Sequence, residues 1–362
     1  MPDLTDIIEW LGEDRSLALG GLLIGALFGA FAQRSRFCLR AAVVEVARGQ
    51  LGAKLSVWLL AFSAAIIVTQ LLHLSGRFDT ANVRQLASQG SLSGALIGGL
   101  MFGTGMILAR GCSSRLLVLA ANGNLRALLS GLIFAVTAQA SMTGILSPLR
   151  ETIGTWWTID GGNARDLLAY VGIGHGGGFA FGLLWLLAGA WFASRHRITG
   201  WAWAGGLGAG VMVALAWWFT YEMSSRTFDP TPIKSLSFTG PSADVLMLVL
   251  SPPGRLLDFD LGMVPGVFLG SFLAALLSRE LKLEGFQGGH AMRRYIVGAL
   301  LMGFGGMLAG GCAVGAGISG ASVFAVTAWV TLSGMWAGAS LTDWVIDRKL
   351  APHPLPATAV SP

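Results

Sequence analysis

Eight windows of the 362-residue chain contain no Lys, Arg, Asp or Glu: 16–33, 55–76, 85–109, 127–149, 167–194, 198–221, 261–278 and 295–342. Each supplies the roughly 17–25 apolar residues that a tilted membrane helix needs, and the last can hold two spans. Only 12% of the residues are charged and 54% are hydrophobic, whereas a soluble domain carries about 25% charged residues. A soluble globule is excluded on this balance. The expected fold is an all-α polytopic membrane protein in a lipid bilayer, with about nine transmembrane helices near 17–33, 54–73, 92–109, 127–146, 176–193, 199–220, 262–278, 294–309 and 321–342.

The 52 glycines lie inside these runs, often three or four apart, as in Gly21/Gly25/Gly29 and Gly94/Gly98. That spacing lets membrane helices approach closely. Trp156, Trp157, Trp201, Trp203, Trp217 and Trp218 suit interfacial belts. The net charge of +5 is spread over loops, so it reads as topology information and no nucleic-acid partner is expected. The first sixteen residues are acidic and lack a basic n-region, so no cleaved leader is expected.

Lys and Arg mark the cytoplasmic ends of spans. They cluster after spans 1, 3, 5, 7 and 9, at Arg34, Arg36, Arg40, Arg48 and Lys54, at Arg110, Arg115 and Arg126, at Arg195 and Arg197, at Arg279, Lys282, Arg293 and Arg294, and at Arg348 and Lys349. The alternate loops are mixed or acidic. This predicts an outside N-terminus and a cytoplasmic C-terminus. Segment 221–260 carries Pro230, Pro232, Pro241, Pro252 and Pro253 and divides a first half, 1–220, from a second, 261–350. Its apolar stretch 243–251 is too short to cross and reads as a surface or re-entrant helix. The tail 351–362 is expected to be disordered.

Leu96–Cys112 aligns without a gap on Ile296–Cys312, two hundred residues later, with eight identities in seventeen. Leu22–Cys38 is a weaker third copy. Gly266–Arg279 is a looser fourth, with Arg279 where cysteine would stand. By the loop charges the spans before Cys112 and Cys312 run in opposite directions. Two pseudo-symmetric, inverted halves follow, an arrangement typical of transporters.

The chain has three cysteines, Cys38, Cys112 and Cys312, and each ends one of these runs. A lone cysteine is most often a buried small hydrophobe; equivalent repeat positions favour a shared role. No CxxC, His–Cys cluster or metal spacing accompanies them, so neither a metal nor a cofactor is expected. The span before Gly111–Cys112 is shorter than the bilayer core, which predicts a helix break inside the membrane there, and likewise at Gly311–Cys312. Non-helical backbone at that depth must face protein or a water-filled cavity. A thiol is a weak donor and a soft contact, suited to a substrate with a terminal sulfur. Restarting helices offer anions their N-termini. Among the nearby arginines Arg36 and Arg115 are the better candidates for the anion, against a plain anchoring role. Glu45, Glu222 and His175 read as interfacial or helix-start residues.

Ser35-Arg36-Phe37-Cys38-Leu39-Arg40, Leu108-Ala109-Arg110-Gly111-Cys112-Ser113-Ser114 and Leu308-Ala309-Gly310-Gly311-Cys312-Ala313-Val314-Gly315-Ala316-Gly317 resemble the three signature cysteine segments of the YeeE/YedE family of sulphur-transport membrane proteins. The string Asn122-Gly123-Asn124-Leu125 resembles that family too. The resemblance implies import of thiosulfate or a related sulfur anion across the bacterial inner membrane, by a non-enzymatic transporter. Cys38, Cys112 and Cys312 would line a narrow central path, with Gly111, Gly311, Arg36 and Arg115 beside it. It further implies a small cytoplasmic TusA-like sulfur-carrier protein as partner. Arg110 departs from the family by standing where glycine is expected, and the loops 147–175 and 221–260 are longer than in compact members. Transport of another sulfur or selenium species, or a thiol-based membrane redox protein, are the alternatives.

Overall fold

The computed structural model describes residues 10–227, 231–252, 254, 256–286 and 288–349; the tail expected to be disordered lies outside them. The chain is a polytopic helical membrane protein. Its principal helices are α1 (Glu13–Ser35), α2 (Leu39–Ala47), α3 (Ala53–Leu74), α4 (Leu92–Leu108), α5 (Ser113–Ala121), α6 (Leu125–Met142), α7 (Gly174–Arg195), α8 (Gly200–Arg226), α9 (Thr239–Leu250), α10 (Phe259–Leu277), α11 (Gly289–Leu308) and α12 (Val326–Thr342). Among the described residues, seven helical stretches are long and apolar enough to cross a bilayer by length and composition. A helix overlaps each expected span, but α11 and α12, at the eighth and ninth, are not among those seven. The last expected span, 321–342, starts late, because a π-helical turn over Gly315–Gly320 precedes α12. The short apolar stretch near 243–251 forms α9, of 12 residues.

Helices in lipid gain little from hiding apolar side chains from one another, so close backbone packing holds them together. The glycines supply that closeness. Gly21, Gly25 and Gly29 of α1 lie against the carbonyls of Phe259, Met263 and Val267, while Gly262, Gly266 and Gly270 of α10 lie against those of Ala18, Leu22 and Ala26. The two registers advance together, so α1 and α10 are parallel.

The two repeat copies pack on each other in the opposite sense. A Cβ on Gly98 of α4 would lie 2.5 Å from the Gly305 oxygen, and one on Gly298 of α11 would lie 2.7 Å from the Gly105 oxygen. Residue numbers rise on one helix as they fall on the other, so α4 and α11 are antiparallel. Gly98 and Gly105 correspond to Gly298 and Gly305 in the repeat, so the two contacts exchange with one another.

Helix ends share one device. Arg36, Arg110, Arg197 and Arg279 take left-handed φ values of 54°, 56°, 47° and 57° just past α1, α4, α7 and α10. The following amide then reaches back to an orphan carbonyl, as in Phe37 N–H to Ala32 O at 3.2 Å and Glu280 N–H to Ala275 O at 2.8 Å. Glycine usually fills this position because a Cβ strains there. A cation in its place meets the negative end of the helix dipole. The shared geometry aligns Arg279 with Arg36. The cysteine position of the loose fourth repeat is therefore Leu281, two residues on, and not Arg279.

Polar stitches close the helix ends. Asn124 accepts from Ala127 N–H at 2.9 Å to cap α6, and its amide donates to Glu284. The Asn122–Leu125 string thus ties the α5–α6 turn to the segment after α10. Glu45 accepts from Leu55 N–H at 2.9 Å and caps the start of α3. Glu222 pairs with Arg226 at 3.1 Å. At the other end, Gly90–Ser91 and Thr158–Ile159 form an antiparallel pair that folds loop 147–166 back over α4.

Candidate functional site

Each cysteine follows a helix by the same path. A left-handed residue stands two positions before it, Arg36, Arg110 or Gly310, the last with φ 76°. Cys38 and Cys112 are then extended and begin the nine-residue helices α2 and α5. Cys312 leads into a turn and the π-helical Gly315–Gly320. Gly311 is sterically required, since a Cβ there would come 2.8 Å from Ala316 N; at Gly111 the nearest atom, on Leu116, would be 3.3 Å away.

The depth of these breaks follows from the α4–α11 pair. Gly98 abuts Ala309 N and Gly298 abuts Ala109 N. Those contacts are eleven residues apart on α4, or about 16 Å at ~1.5 Å per residue. A bilayer core is about 30 Å thick. Two helix ends this close together in depth fit inside it. The thiols therefore do not meet in one plane: Cys112 lies at the arginine-rich end of the pair and Cys312 at the opposite end.

Cys38 joins Cys112. The two thiols are close neighbours, and Cys112 Sγ lies 3.4 Å from Ser114 Oγ. Arg115 projects its charge on both thiols. Three buried polar atoms around this pair, Arg115 Nη1, Arg40 Nε and Ser113 Oγ, have no partner among the described residues. Arg36 is different: it is exposed at the end of α1 and lies 3.9 Å from Glu280. Arg115 is thus brought to the thiols, whereas Arg36 is turned to the surface.

Cys312 is fully buried. Its sulfur accepts from Phe238 N–H and Gly315 N–H, both at 3.3 Å, which leaves its own S–H free to donate. Between the two cysteine levels lies a column of phenyl rings. Phe28 packs on Phe37 at 6.3 Å and on Phe238 at 5.7 Å between centroids. Phe37 adjoins Cys38, Phe238 binds Cys312, and all three rings are buried.

Beside Cys312 opens a cavity of about 480 Å³ whose lining includes Arg84, Arg150, Arg165, Lys234, Thr239 and Gly311. Lys234 is neutralised by Asp258 at 2.8 Å and Asp260 at 2.5 Å. Arg150 is offset by Glu151 at 3.1 Å. Arg165 is only 6% exposed and pairs with no carboxylate among the described residues. Burial, and then the charge of Arg84, pull its pKa below the ordinary guanidinium value, yet an arginine stays charged. Sequence reasoning missed this residue, along with Thr239 and the phenyl column. Arg165 belongs to a polar loop, where no periodicity marks it. No group of three metal-ligating side chains occurs among the described residues. His175 stacks on His73 at 3.5 Å and meets Gln70 at 2.9 Å, away from the thiols.

Residues 34–341 match the protein family described as Sulphur transport. The chain is similar to the thiosulfate transporter TsuA of Escherichia coli (strain K12), 25% identical over 91% of this chain and 95% of that protein. It is also similar to the thiosulfate transporter TsuA of Spirochaeta thermophila, 28% identical over 91% of this chain and 99% of that protein. A shorter match, 36% identical over 24% of this chain and 22% of the other, is to the probable transporter YedE of Escherichia coli (strain K12).

Proposed function

The chain belongs to the Sulphur transport family, and from that premise we propose that it imports thiosulfate or a related inorganic sulfur anion through a narrow cysteine-lined path. The observation that carries this reading is the placement of the thiols at two depths, each beside buried polar atoms that lack partners. An unsatisfied buried polar group costs about 1–3 kcal/mol. A passing oxyanion offsets that cost at both stations.

The path runs from the 480 Å³ cavity to Cys312, past the Phe28 column, to Cys38 and Cys112 beside Arg115, and out at the arginine-rich end. Oxygen atoms of the anion meet arginine and amide donors. Its terminal sulfur meets thiols, which are soft and polarizable. The phenyl rings admit no ion while packed, so each passage needs them to part. The arginines at the C-terminal ends of α1, α4, α7 and α10 set the orientation. The arginine-rich end faces the cytoplasm, the N-terminus faces outside, and the membrane is the bacterial inner membrane. The contact exchange within the α4–α11 pair supports two inverted halves, 1–220 and 261–350, joined by 221–260. A small TusA-like sulfur carrier would receive the anion at the cytoplasmic end, and Gly111 and Gly311 shape the two breaks. Arg36, at the surface, fits that exit better than the path itself.

The test is uptake of labelled thiosulfate, sulfate and selenite, each alone, into proteoliposomes. Thiosulfate is carried and sulfate is not. Equal carriage of all three contradicts a thiol-selected path.

One arrangement favours a second reading, a thiol redox protein: Cys38 and Cys112 are neighbouring thiols. That reading requires a Cys38–Cys112 disulfide, visible by mass spectrometry without reductant. Free thiols in protein that is actively transporting exclude it.

A further inference from the structure

We infer that Arg165 is the outer oxyanion-binding residue, holding the charged, oxygen-bearing end of the substrate in the cavity beside Cys312. The inference rests on the transport reading and adds to it a division of labour: Arg165 selects by charge, and the thiols then select by sulfur.

The guanidinium is built into place. Nη1 donates to Ser88 O at 2.5 Å and Nη2 donates to Thr327 Oγ1 at 2.8 Å. These bonds fix the fork's orientation while consuming only part of its five donors. Nε is buried and has no partner. The residue is only 6% exposed, and it borders the cavity. A buried cation without a counter-ion is costly to fold, and among the described residues no carboxylate offsets it. The half-buried cations of the cavity wall, Lys234 and Arg150, carry their own carboxylates. Thr239 Oγ1, a second buried orphan on the same wall, adds a hydroxyl. The cavity also reaches Gly310, Gly311 and Gly315, the backbone around Cys312. A tetrahedral dianion held at the guanidinium would sit in the same cavity that reaches this backbone. A planar fork suits such oxygens better than an ammonium does.

Sulfate shares the charge and oxygens of thiosulfate and lacks the soft sulfur. It therefore competes at Arg165 without being carried. In proteoliposomes, sulfate inhibits wild-type thiosulfate uptake competitively. R165Q raises KM about tenfold or more, as expected for losing a charged hydrogen-bond donor, leaves kcat within a fewfold and abolishes sulfate inhibition. R165K falls between and keeps sulfate inhibition. Wild-type uptake insensitive to sulfate overturns the inference, and so does a KM for R165Q within about twofold of wild type. If R165Q does not reach the membrane, the wild-type sulfate competition decides alone. An absence of any thiosulfate uptake by the wild type would instead overturn the transport reading, and this inference with it.

Discussion

Gly98 and Gly305 meet so closely that a methyl group on Gly98 would lie 2.5 Å from the Gly305 carbonyl oxygen. This contact joins the two repeat copies along the antiparallel α4–α11 pair. It sets how far apart in depth the Cys112 and Cys312 breaks lie. Backbone cannot yield there as a flexible side chain would.

Gly98→Ala and Gly298→Ala should therefore fail alike, because each places a methyl group within 2.6 Å of backbone on the facing helix. Overpacking of this kind costs about 1–3 kcal/mol. The check is the thermal midpoint of detergent-purified protein, with Gly131→Ala as control, since a Cβ there meets nothing within 4 Å. Equal midpoints for all three variants would refute the account of this interface.

Arg110 sits in the left-handed region at φ 56°, a position that costs a residue with a Cβ about 1–2 kcal/mol. Arg110→Gly removes that strain and loses roughly 0.5–1 kcal/mol through chain entropy. A neutral to slightly raised thermal midpoint is expected, with uptake preserved. Arg110→Val, β-branched in the same conformation, should lower the midpoint clearly.

Phe28 is the ring shared by both neighbours in the column between the cysteine levels. Phe28→Ala shortens that barrier. The expected result is a raised passive leak of thiosulfate and of smaller anions, measured as efflux from loaded proteoliposomes into substrate-free buffer. An unchanged leak would mean that another element seals the path.

How much of this was legible beforehand depends on which physics wrote it. Charge-free runs expose the spans directly, because hydrocarbon tolerates few ions. The cysteines stood out because the repeat placed them at equivalent positions, and Arg110 was visible as an arginine where glycine belongs. Three features were not legible. The separation in depth of Cys112 and Cys312 arises from antiparallel packing, which the alignment alone does not measure. Phe28, Phe37 and Phe238 come from distant segments and look like ordinary apolar residues. Arg165 belongs to a polar, largely exposed loop and is itself enclosed when Thr158–Ile159 pairs with Gly90–Ser91 and Val326 N–H bonds Arg165 O at 2.8 Å. A loop arginine gives no sign in sequence that tertiary closure will enclose it.

The central claim is that the anion passes the thiols. Its most direct test is initial-rate uptake of labelled thiosulfate by wild type, Cys38→Ala, Cys112→Ala and Cys312→Ala at matched abundance in proteoliposomes. A hydrogen bond to a charged group contributes about 1.5–3 kcal/mol, so each variant should lose roughly tenfold or more in rate. Wild-type rates in all three alanine variants would contradict the claim.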